Sequence, residues 1–213
     1  MEKTQTNEKR RSKVYDLVQI GLLSAVFCVL APIAMPVPFS PVPITFGTFV
    51  LYLTAVVLGK KKGTISVMVY LLIGLAGLPV FSGFTAGFTK LMGPGGGYMI
   101  GYLPAVFFIG WMEEAWSKRQ KEKRTEREHF GFGLQSLVLA GIFLAGAILC
   151  YTFGTAWFVF MMSGTYTLPQ ALLVCVLPFV PFELIKIVLA CVIALPVRQK
   201  LRRAGILKME EFL

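Results

Sequence analysis

Residues 134–162 read LQSLVLAGIFLAGAILCYTFGTAWFVFMM, a stretch without a single charged side chain. A helix that crosses a membrane needs about 20 consecutive, mostly apolar residues, so this stretch is long enough to span one. The composition agrees, because 56% of the 213 residues are hydrophobic, compared with about 45–50% in a soluble globular domain. The stretch therefore predicts an integral membrane protein built from helices.

The same criterion, applied outward from this stretch, predicts five more spans bounded by prolines, glycines or basic clusters. They run from Val14 to about Ala31, Ile44 to Gly59, Gly63 to about Leu78, Tyr98 to about Trp116, and Pro181 to Val197. The expected fold class is all-α, a polytopic membrane protein with six transmembrane helices. We expect one domain, residues 14–203, between a basic N-terminal segment, residues 1–13, and a C-terminal tail, residues 204–213.

The positive charges are placed asymmetrically along the chain, whose net charge is +10. With six spans, 19 of the 21 lysine and arginine residues fall on one side of the membrane. Cytoplasmic flanks of membrane helices carry such an excess, so both termini are predicted to be cytoplasmic in a multi-pass protein of the cell membrane. The basic character thus indicates topology, with attraction to membrane lipids as a secondary effect, and argues against a nucleic-acid partner.

Three charged residues lie far from the predicted cytoplasmic flanks: Lys90, Glu183 and Lys186. Glu183 and Lys186 are three positions apart on the last span, so they share one face of its helix. A charge at the centre of a membrane costs about 2.5–3.5 kcal/mol, and such residues usually serve a function. Two interpretations stay open, an ion pair that tethers helices and a polar contact for a solute arriving from outside. We favour the solute contact, because residues 187–197 of that helix are apolar.

Two segments on the outer side are rich in residues that break helices. Pro32 to Thr45 contains five prolines, and Pro79 to Gly97 contains a cluster of glycines. Both segments keep aromatic residues and almost no charge, which is unusual for solvated connectors. Proline and glycine predict ordered, non-helical backbone, and such backbone occurs near membrane depth where it lines a cavity. We expect these loops to fold over the helix bundle as a lid.

The remaining features narrow the class of function. The four cysteines lie far apart in apolar runs without metal-ligand spacing, so neither a metal nor a cofactor is expected. No phosphate-binding loop occurs, so ATP energy would have to come from partner subunits. Gly21 and Ala25 form a small-xxx-small pair that permits close helix packing, either within the bundle or against another protein.

Four short segments together resemble one known family. They are Pro43-Ile44-Thr45 with Thr48; Tyr70-Leu71 with Gly74 and Gly77-Leu78-Pro79-Val80-Phe81; Gly93-Pro94 with Gly96-Gly97-Tyr98; and Pro178-Phe179 with Pro181 and Lys186. In this combination they resemble BioY, the biotin-specific S component, or substrate-binding subunit, of energy-coupling factor (ECF) transporters. The resemblance covers roughly residues 14–201.

The resemblance implies a six-helix S-component bundle that captures biotin from outside. It implies that Glu183 and Lys186 contact the polar groups of the ligand and that the loop from Pro36 to Thr45 closes over it. Further residues of the implied ligand site are Phe81, Ser82, Gly93, Gly97 and Tyr98. The implied partners are a transmembrane coupling subunit, which would dock on Gly21 and Ala25, and two ATPase subunits.

Three positions depart from the family's usual residues. Glu183 stands where the family usually has Asp, Gly47 where it has Gln, and Gly95 where it has Thr. The longer acid changes the shape of the pocket, and the two glycines remove an amide and a hydroxyl. Lost polar contacts can change specificity by orders of magnitude, so a related small carboxylate, such as lipoate or a biotin precursor, stays an alternative ligand. A solitary transporter or channel, a membrane enzyme and a structural membrane protein are the alternative functions, although no His-Glu-x-x-His motif supports the enzyme.

Overall fold

The computed structural model of the chain describes residues 2–38, 40–123 and 132–203, and most of these residues are helical. In chain order the elements are α1 (Glu2–Leu30), β1 (Ala34–Val37), β2 (Ser40–Thr45), α2 (Gly47–Leu75), α3 (Phe88–Leu91), α4 (Gly96–Lys123), α5 (Phe132–Met161), α6 (Leu168–Cys175), a 3-10 turn (Leu177–Phe179) and α7 (Val180–Arg203). This mainly helical architecture confirms the predicted all-α class. The predicted C-terminal tail, residues 204–213, lies outside the described residues.

The α2 helix contains a sharp reversal, so it supplies two of the predicted spans. Gly59 has φ of 72° and ψ of −176°, a backbone conformation that glycine adopts without steric cost. A Cβ on Gly63 would lie only 3.4 Å from the carbonyl oxygen of Thr54, although nine residues of straight helix would separate the two by about 13 Å. Residues 47–58 (α2a) and 60–75 (α2b) are therefore two helices that fold back on each other.

The observed helices match the predicted spans but have different ends. Helix α2a begins at Gly47 instead of Ile44, because Ile44 belongs to strand β2. Helix α1 starts at Glu2, so the predicted N-terminal segment is continuous with the first span. Helix α4 runs on to Lys123, past the predicted end at Trp116. Apolar composition marks only the part of a helix that faces lipid, whereas lysine, glutamate and glutamine favour helix and extend it further.

The bundle has an aromatic interior and an apolar exterior. Helix α2 lies at its centre and packs against α1, α4 and α7, while α5 packs against α4 and α7. Large side chains such as Phe27, Tyr70 and Phe143 are almost completely buried, whereas Leu137 of α5 is 70% exposed and Val188 of α7 is 61% exposed. Within the described residues, three helical segments are long and apolar enough to cross a membrane: 13–30, 133–161 and 168–197. An exterior of this kind is typical of a helical membrane protein.

The proline-rich segment between α1 and α2a forms an antiparallel β-hairpin, with Ala34 paired to Thr45, Met35 to Ile44 and Val37 to Ser40. The prediction of ordered, non-helical backbone is confirmed for this segment, whereas the glycine-rich segment contains the short helix α3 (Phe88–Leu91). The strands themselves were not predicted, because proline removes a hydrogen-bond donor from a sheet and is tolerated only on edge strands. Strand β2 also reaches α6, where the Ser40 hydroxyl lies 3.9 Å from the Cys175 thiol. The hairpin therefore covers one end of the bundle.

The loop from α2b to α4 is fixed against its surroundings by backbone hydrogen bonds. The N–H of Gly87, just before α3, donates to the carbonyl of Gly74 at 2.8 Å, and the N–H of Gly83 donates to the carbonyl of Pro32 at 2.9 Å. Gly83 and Gly87 both have positive φ angles, 75° and 87°, which glycine adopts readily. The glycines thus allow the loop to turn tightly beside the hairpin and place the short helix α3 next to it.

Candidate functional site

A buried ion pair lies at the start of α7. Pro181 occupies the first turn, where its missing N–H breaks no intrahelical bond, and Glu183 and Lys186 follow on one face. The Lys186 ammonium lies 2.7 Å from Oε2 of Glu183, and the two side chains are only 9% and 5% exposed. The two charges therefore compensate each other away from water, which is what a buried ion pair requires to be tolerated.

Hydroxyl groups from two other helices surround the Glu183 carboxylate. Thr48 and Tyr52, one turn apart on α2a, both donate to it, Thr48 over 3.1 Å. Tyr151 of α5 donates to Oε2 over 3.1 Å. The Tyr52 ring is held in place by stacking on Phe143, with centroids 4.7 Å apart. The carboxylate is thus the point at which α2a, α5 and α7 meet.

The Lys186 ammonium makes three contacts, as many as it has N–H donors. Besides Glu183, it donates to Oγ1 of Thr48 over 2.8 Å and to the backbone carbonyl of Thr45 over 3.1 Å. Thr45 is the last residue of strand β2. The contact therefore links the buried ion pair directly to the hairpin.

A cavity of about 80 Å³ lies under strand β2, and we call it the outer cavity. Strand β2 covers it with Pro41, Val42, Pro43 and Thr45. Its other walls include the loop residues Ser82, Lys90, Gly93 and Gly95 and the rings of Tyr70, Tyr98 and Tyr102. Ligand sites in proteins typically measure about 300–1,000 Å³. A vitamin-sized ligand therefore fits here only when β2 moves outward.

Two residues connect the outer cavity with the ion pair. Thr45 lines the cavity and accepts a hydrogen bond from Lys186. Tyr98 also lines it, and its ring packs edge-on against that of Tyr151, with centroids 5.8 Å apart. Lys186 therefore contacts a wall residue directly, whereas Tyr151, which donates to Glu183, lies between that carboxylate and the wall residue Tyr98.

The structure brings part of the predicted ligand site together. Four of its members line the outer cavity: Thr45, Ser82, Gly93 and Tyr98. The fully buried Phe81 ring instead packs edge-on against Tyr70, with centroids 5.8 Å apart, and Gly97 lets α4 approach the side chain of Trp157. Phe81 and Gly97 thus support the walls from behind, and their contact with a ligand stays a prediction.

The two glycine departures have different structural consequences. A Cβ on Gly47 would collide with the hydroxyl of Tyr102, so this tyrosine fills the space that a larger residue at position 47 would need. A Cβ on Gly95 would meet no atom within 4 Å. The room created at Gly95 therefore remains open, and Gly95 belongs to the outer cavity.

Sequence reasoning did not assign Lys90, Tyr52, Tyr102 or Tyr151 to the site. The sequence signal for Lys90 is its position, since it is one of two basic residues away from the predicted cytoplasmic flanks. The tyrosines give no comparable signal, because an aromatic residue in an apolar span is most often a packing residue.

A second cavity, of about 470 Å³, opens between α5 on one side and α6 and α7 on the other. Its walls are mainly aliphatic, including Leu144, Leu172 and Leu184, which are also exposed on the outside of the bundle. Tyr151 and Glu183 reach its edge. A groove of this composition suits an acyl chain better than a ligand with several hydrogen-bonding groups.

Gly21 and Ala25 lie on an exposed face of α1. A Cβ on Gly21 would meet no atom within 4 Å, and the neighbouring Leu17 and Leu22 are 69% and 60% exposed. The small-xxx-small pair therefore does not serve packing within the described part of the bundle.

Fold and site together define a class of protein, a multi-pass helical membrane protein with a covered cavity beside a buried ion pair. The family model described as "BioY family" matches residues 3–203, nearly the whole chain. The chain therefore belongs to the BioY family.

Relatives of known name and structure agree with this membership. The chain is 37% identical over 184 residues to "Biotin transporter BioY" of Thermotoga maritima, covering 86% of this chain and 95% of the relative. It is 31% identical over 186 residues to "Biotin transporter BioY2" of Lactococcus lactis subsp. cremoris, covering 87% and 91%. Its fold is similar to the crystal structure of the S component for biotin from an ECF-type ABC transporter, with a TM-score of 0.70, 28% identity and coverage of 91% and 93%.

Proposed function

We propose that this chain is the S component of an ECF transporter, a membrane-embedded subunit that binds biotin with high affinity and mediates its uptake. The observation that carries the proposal is the outer cavity joined through Thr45 to the buried pair of Glu183 and Lys186. The names of the relatives support biotin as the ligand. On this proposal the chain is a transport subunit and not an enzyme.

The chemistry of the ion pair suits the ureido ring of biotin. That ring has two N–H donors and one carbonyl acceptor, and a carboxylate accepts hydrogen bonds while an ammonium donates them. Glu183 would accept from a ureido N–H, and Lys186 would donate to the ureido carbonyl in place of the carbonyl of Thr45. The ring of Tyr98 would pack on the apolar surface of the bicycle. Binding would thus exchange contacts within the protein for contacts with the ligand.

The hairpin would serve as the lid of this site. Because the outer cavity measures about 80 Å³, β2 has to move outward to admit biotin. When Lys186 releases the carbonyl of Thr45, it also releases the end of β2. Closure of β2 over the ligand would then exclude water and strengthen the polar contacts beneath it.

Energy for uptake would come from a separate ECF module, with a transmembrane coupling subunit and two ATPase subunits. The uncovered pair of Gly21 and Ala25 on α1 supports a docking role, since small residues allow another helix to approach closely. The asymmetric lysine and arginine residues support cytoplasmic termini and a hairpin that faces outside.

The test is to purify the protein in detergent, identify any co-purifying small molecule by mass spectrometry, and titrate the ligand-free protein with biotin, lipoate and a biotin precursor by calorimetry. We expect biotin to co-purify and to bind more tightly than the other two. Tighter binding of lipoate or of the precursor would indicate that this compound, and not biotin, is the ligand. Binding of none of them, or energised flux by the solitary protein in liposomes, would contradict the S-component proposal.

A further inference from the structure

Lys90 is the cation of the outer cavity whose charge has no partner among the described residues. It lies in the last turn of α3 and forms part of the cavity wall together with Ser82 and Gly95. Its side chain is half-buried, and its ammonium makes no hydrogen bond or ion pair with another residue that the structure describes. The short helix is held in place by the hydrogen bond from Gly87 to Gly74. The fold therefore positions Lys90 without a polar link from its ammonium to any described side chain.

The acids whose side chains the structure describes lie elsewhere. Asp16 pairs with Lys62 at 2.6 Å, and the Glu114 carboxylate lies 3.0 Å from the Lys60 ammonium, an ion-pair distance without hydrogen-bond geometry. Glu113 precedes Glu114 on α4, several turns away from the cavity. The fourth, Glu183, is occupied by the Lys186 ammonium and three hydroxyl groups. No described carboxylate is thus left to neutralise Lys90.

A ligand anion in the outer cavity therefore meets two very different lysines. Lys186 already uses its three donors, and its charge is compensated by Glu183 at 2.7 Å. Lys90, whose charge no carboxylate of the described residues compensates, lines the same cavity as Gly95, where a Cβ would meet no atom within 4 Å. An ammonium without a partner in a largely apolar wall attracts a carboxylate more strongly than an ammonium that is already paired.

From this arrangement we infer that Lys90 is the residue that recognises the carboxylate of the ligand and makes the site selective for an acid over its neutral analogues. The inference rests on the proposed function and divides the ligand between two ends of the site. The donor and acceptor groups of the ring go to Glu183 and Lys186, and the anionic tail goes to Lys90. The hydroxyl of Ser82, which shares the cavity wall, can donate to the same carboxylate.

The test is a thermodynamic cycle between the charge on the protein and the charge on the ligand. Binding of biotin and of biotinamide, which keeps the ring and the tail length but has no charge, is measured by calorimetry for the unaltered protein, Lys90→Gln and Lys90→Arg. Lys61→Gln, which removes an exposed lysine of α2b, is the matched control. Thermal unfolding of each variant shows that a change in affinity is not a change in folding.

We expect Lys90→Gln to weaken biotin binding about tenfold or more, because a hydrogen bond to a charged group is lost, and to leave biotinamide binding unchanged. Lys90→Arg should keep the preference for the acid, and Lys61→Gln should change neither affinity. Equal affinity of Lys90→Gln and the unaltered protein for biotin would overturn the inference while leaving the proposed function intact. An equal loss for biotin and biotinamide would also overturn it, since the loss would then not depend on the ligand's charge. Failure of the unaltered protein to bind either compound would overturn the proposed function itself.

Discussion

Replacing Lys186 with methionine tests how the buried ion pair is tolerated. The substitution keeps an unbranched side chain, shorter by the terminal nitrogen, and removes its charge, so the Glu183 carboxylate stays behind with three hydroxyl donors and no cation. The Glu183 side chain is only 5% exposed, so water cannot replace the lost ammonium. Removing one partner of a buried pair typically costs about 3–5 kcal/mol, because the remaining charge is uncompensated.

The double variant Glu183→Gln with Lys186→Met should recover most of this loss. It removes both charges, and the glutamine can still contact the hydroxyls of Thr48, Tyr52 and Tyr151. Replacing a buried pair by neutral groups of similar volume is often close to neutral. For a chain of this size, 1 kcal/mol corresponds to about 2–4 °C in Tm, so the single variant should lose roughly 6–20 °C and the double variant only a few degrees.

The assay is thermal unfolding of the purified variants in one detergent, followed by tryptophan fluorescence, with biotin binding measured on the same samples. Lys61→Met, an exposed position, should leave Tm unchanged. Both the single and the double variant should bind biotin at least about tenfold more weakly, since contacts to charged groups are lost. Equal Tm losses in the two variants would refute the reasoning about charge compensation. Full biotin affinity in the double variant would show that the pair only tethers helices.

Three further predictions concern the space around glycines and the hairpin. Gly47→Ala should destabilise the protein by about 1–3 kcal/mol because its Cβ collides with Tyr102, whereas Gly95→Ala should be neutral. Equal denaturation midpoints for the two variants would contradict this. Gly21→Leu should preserve biotin binding but reduce uptake with an ECF module. The control Gly141→Leu on α5, a position also open to the outside, should leave uptake unchanged. Normal uptake by Gly21→Leu would contradict the docking role. The Ser40 hydroxyl lies 3.9 Å from the Cys175 thiol, so Ser40→Cys should form a disulfide with Cys175 on oxidation. This disulfide should slow the release of bound biotin until it is reduced. Unchanged release from a fully oxidised sample would contradict a lid that opens at β2.

The helical part of the fold could be predicted because its signal lies in composition. A run such as residues 134–162 has only one structure that satisfies its backbone groups in lipid, and prolines, glycines and basic clusters mark where each run ends. The reversal inside α2 follows the same logic, since Gly59 and the lysines after it separate the second and third runs. The residues at which helices end beyond their apolar spans could not be predicted from hydropathy, as α4 shows by continuing to Lys123.

The hairpin and the details of the site depend on contacts between distant parts of the chain. Three of the five prolines between residues 32 and 45 lie inside the strands, namely Pro36, Pro41 and Pro43. Prolines argue against strands in isolation, and only the pairing of residues 34–37 with 40–45 makes them compatible with a sheet. The shared helix face of Glu183 and Lys186 was predicted from their spacing on α7, with an ion pair as one of two open interpretations. Its partners on α2a and α5 were not, because Tyr52 and Tyr151 look like packing residues until the helices are assembled.

The most direct test of the account is an experimental structure of the protein determined with saturating biotin. We predict ligand density under strand β2, with the ureido ring within hydrogen-bonding distance of Glu183 or Lys186 and the carbonyl of Thr45 no longer bound by the Lys186 ammonium. The account would be contradicted by ligand density in the groove between α5 and α7 with the outer cavity still closed. It would also be contradicted if the ligand left the contacts of Glu183 and Lys186 unchanged.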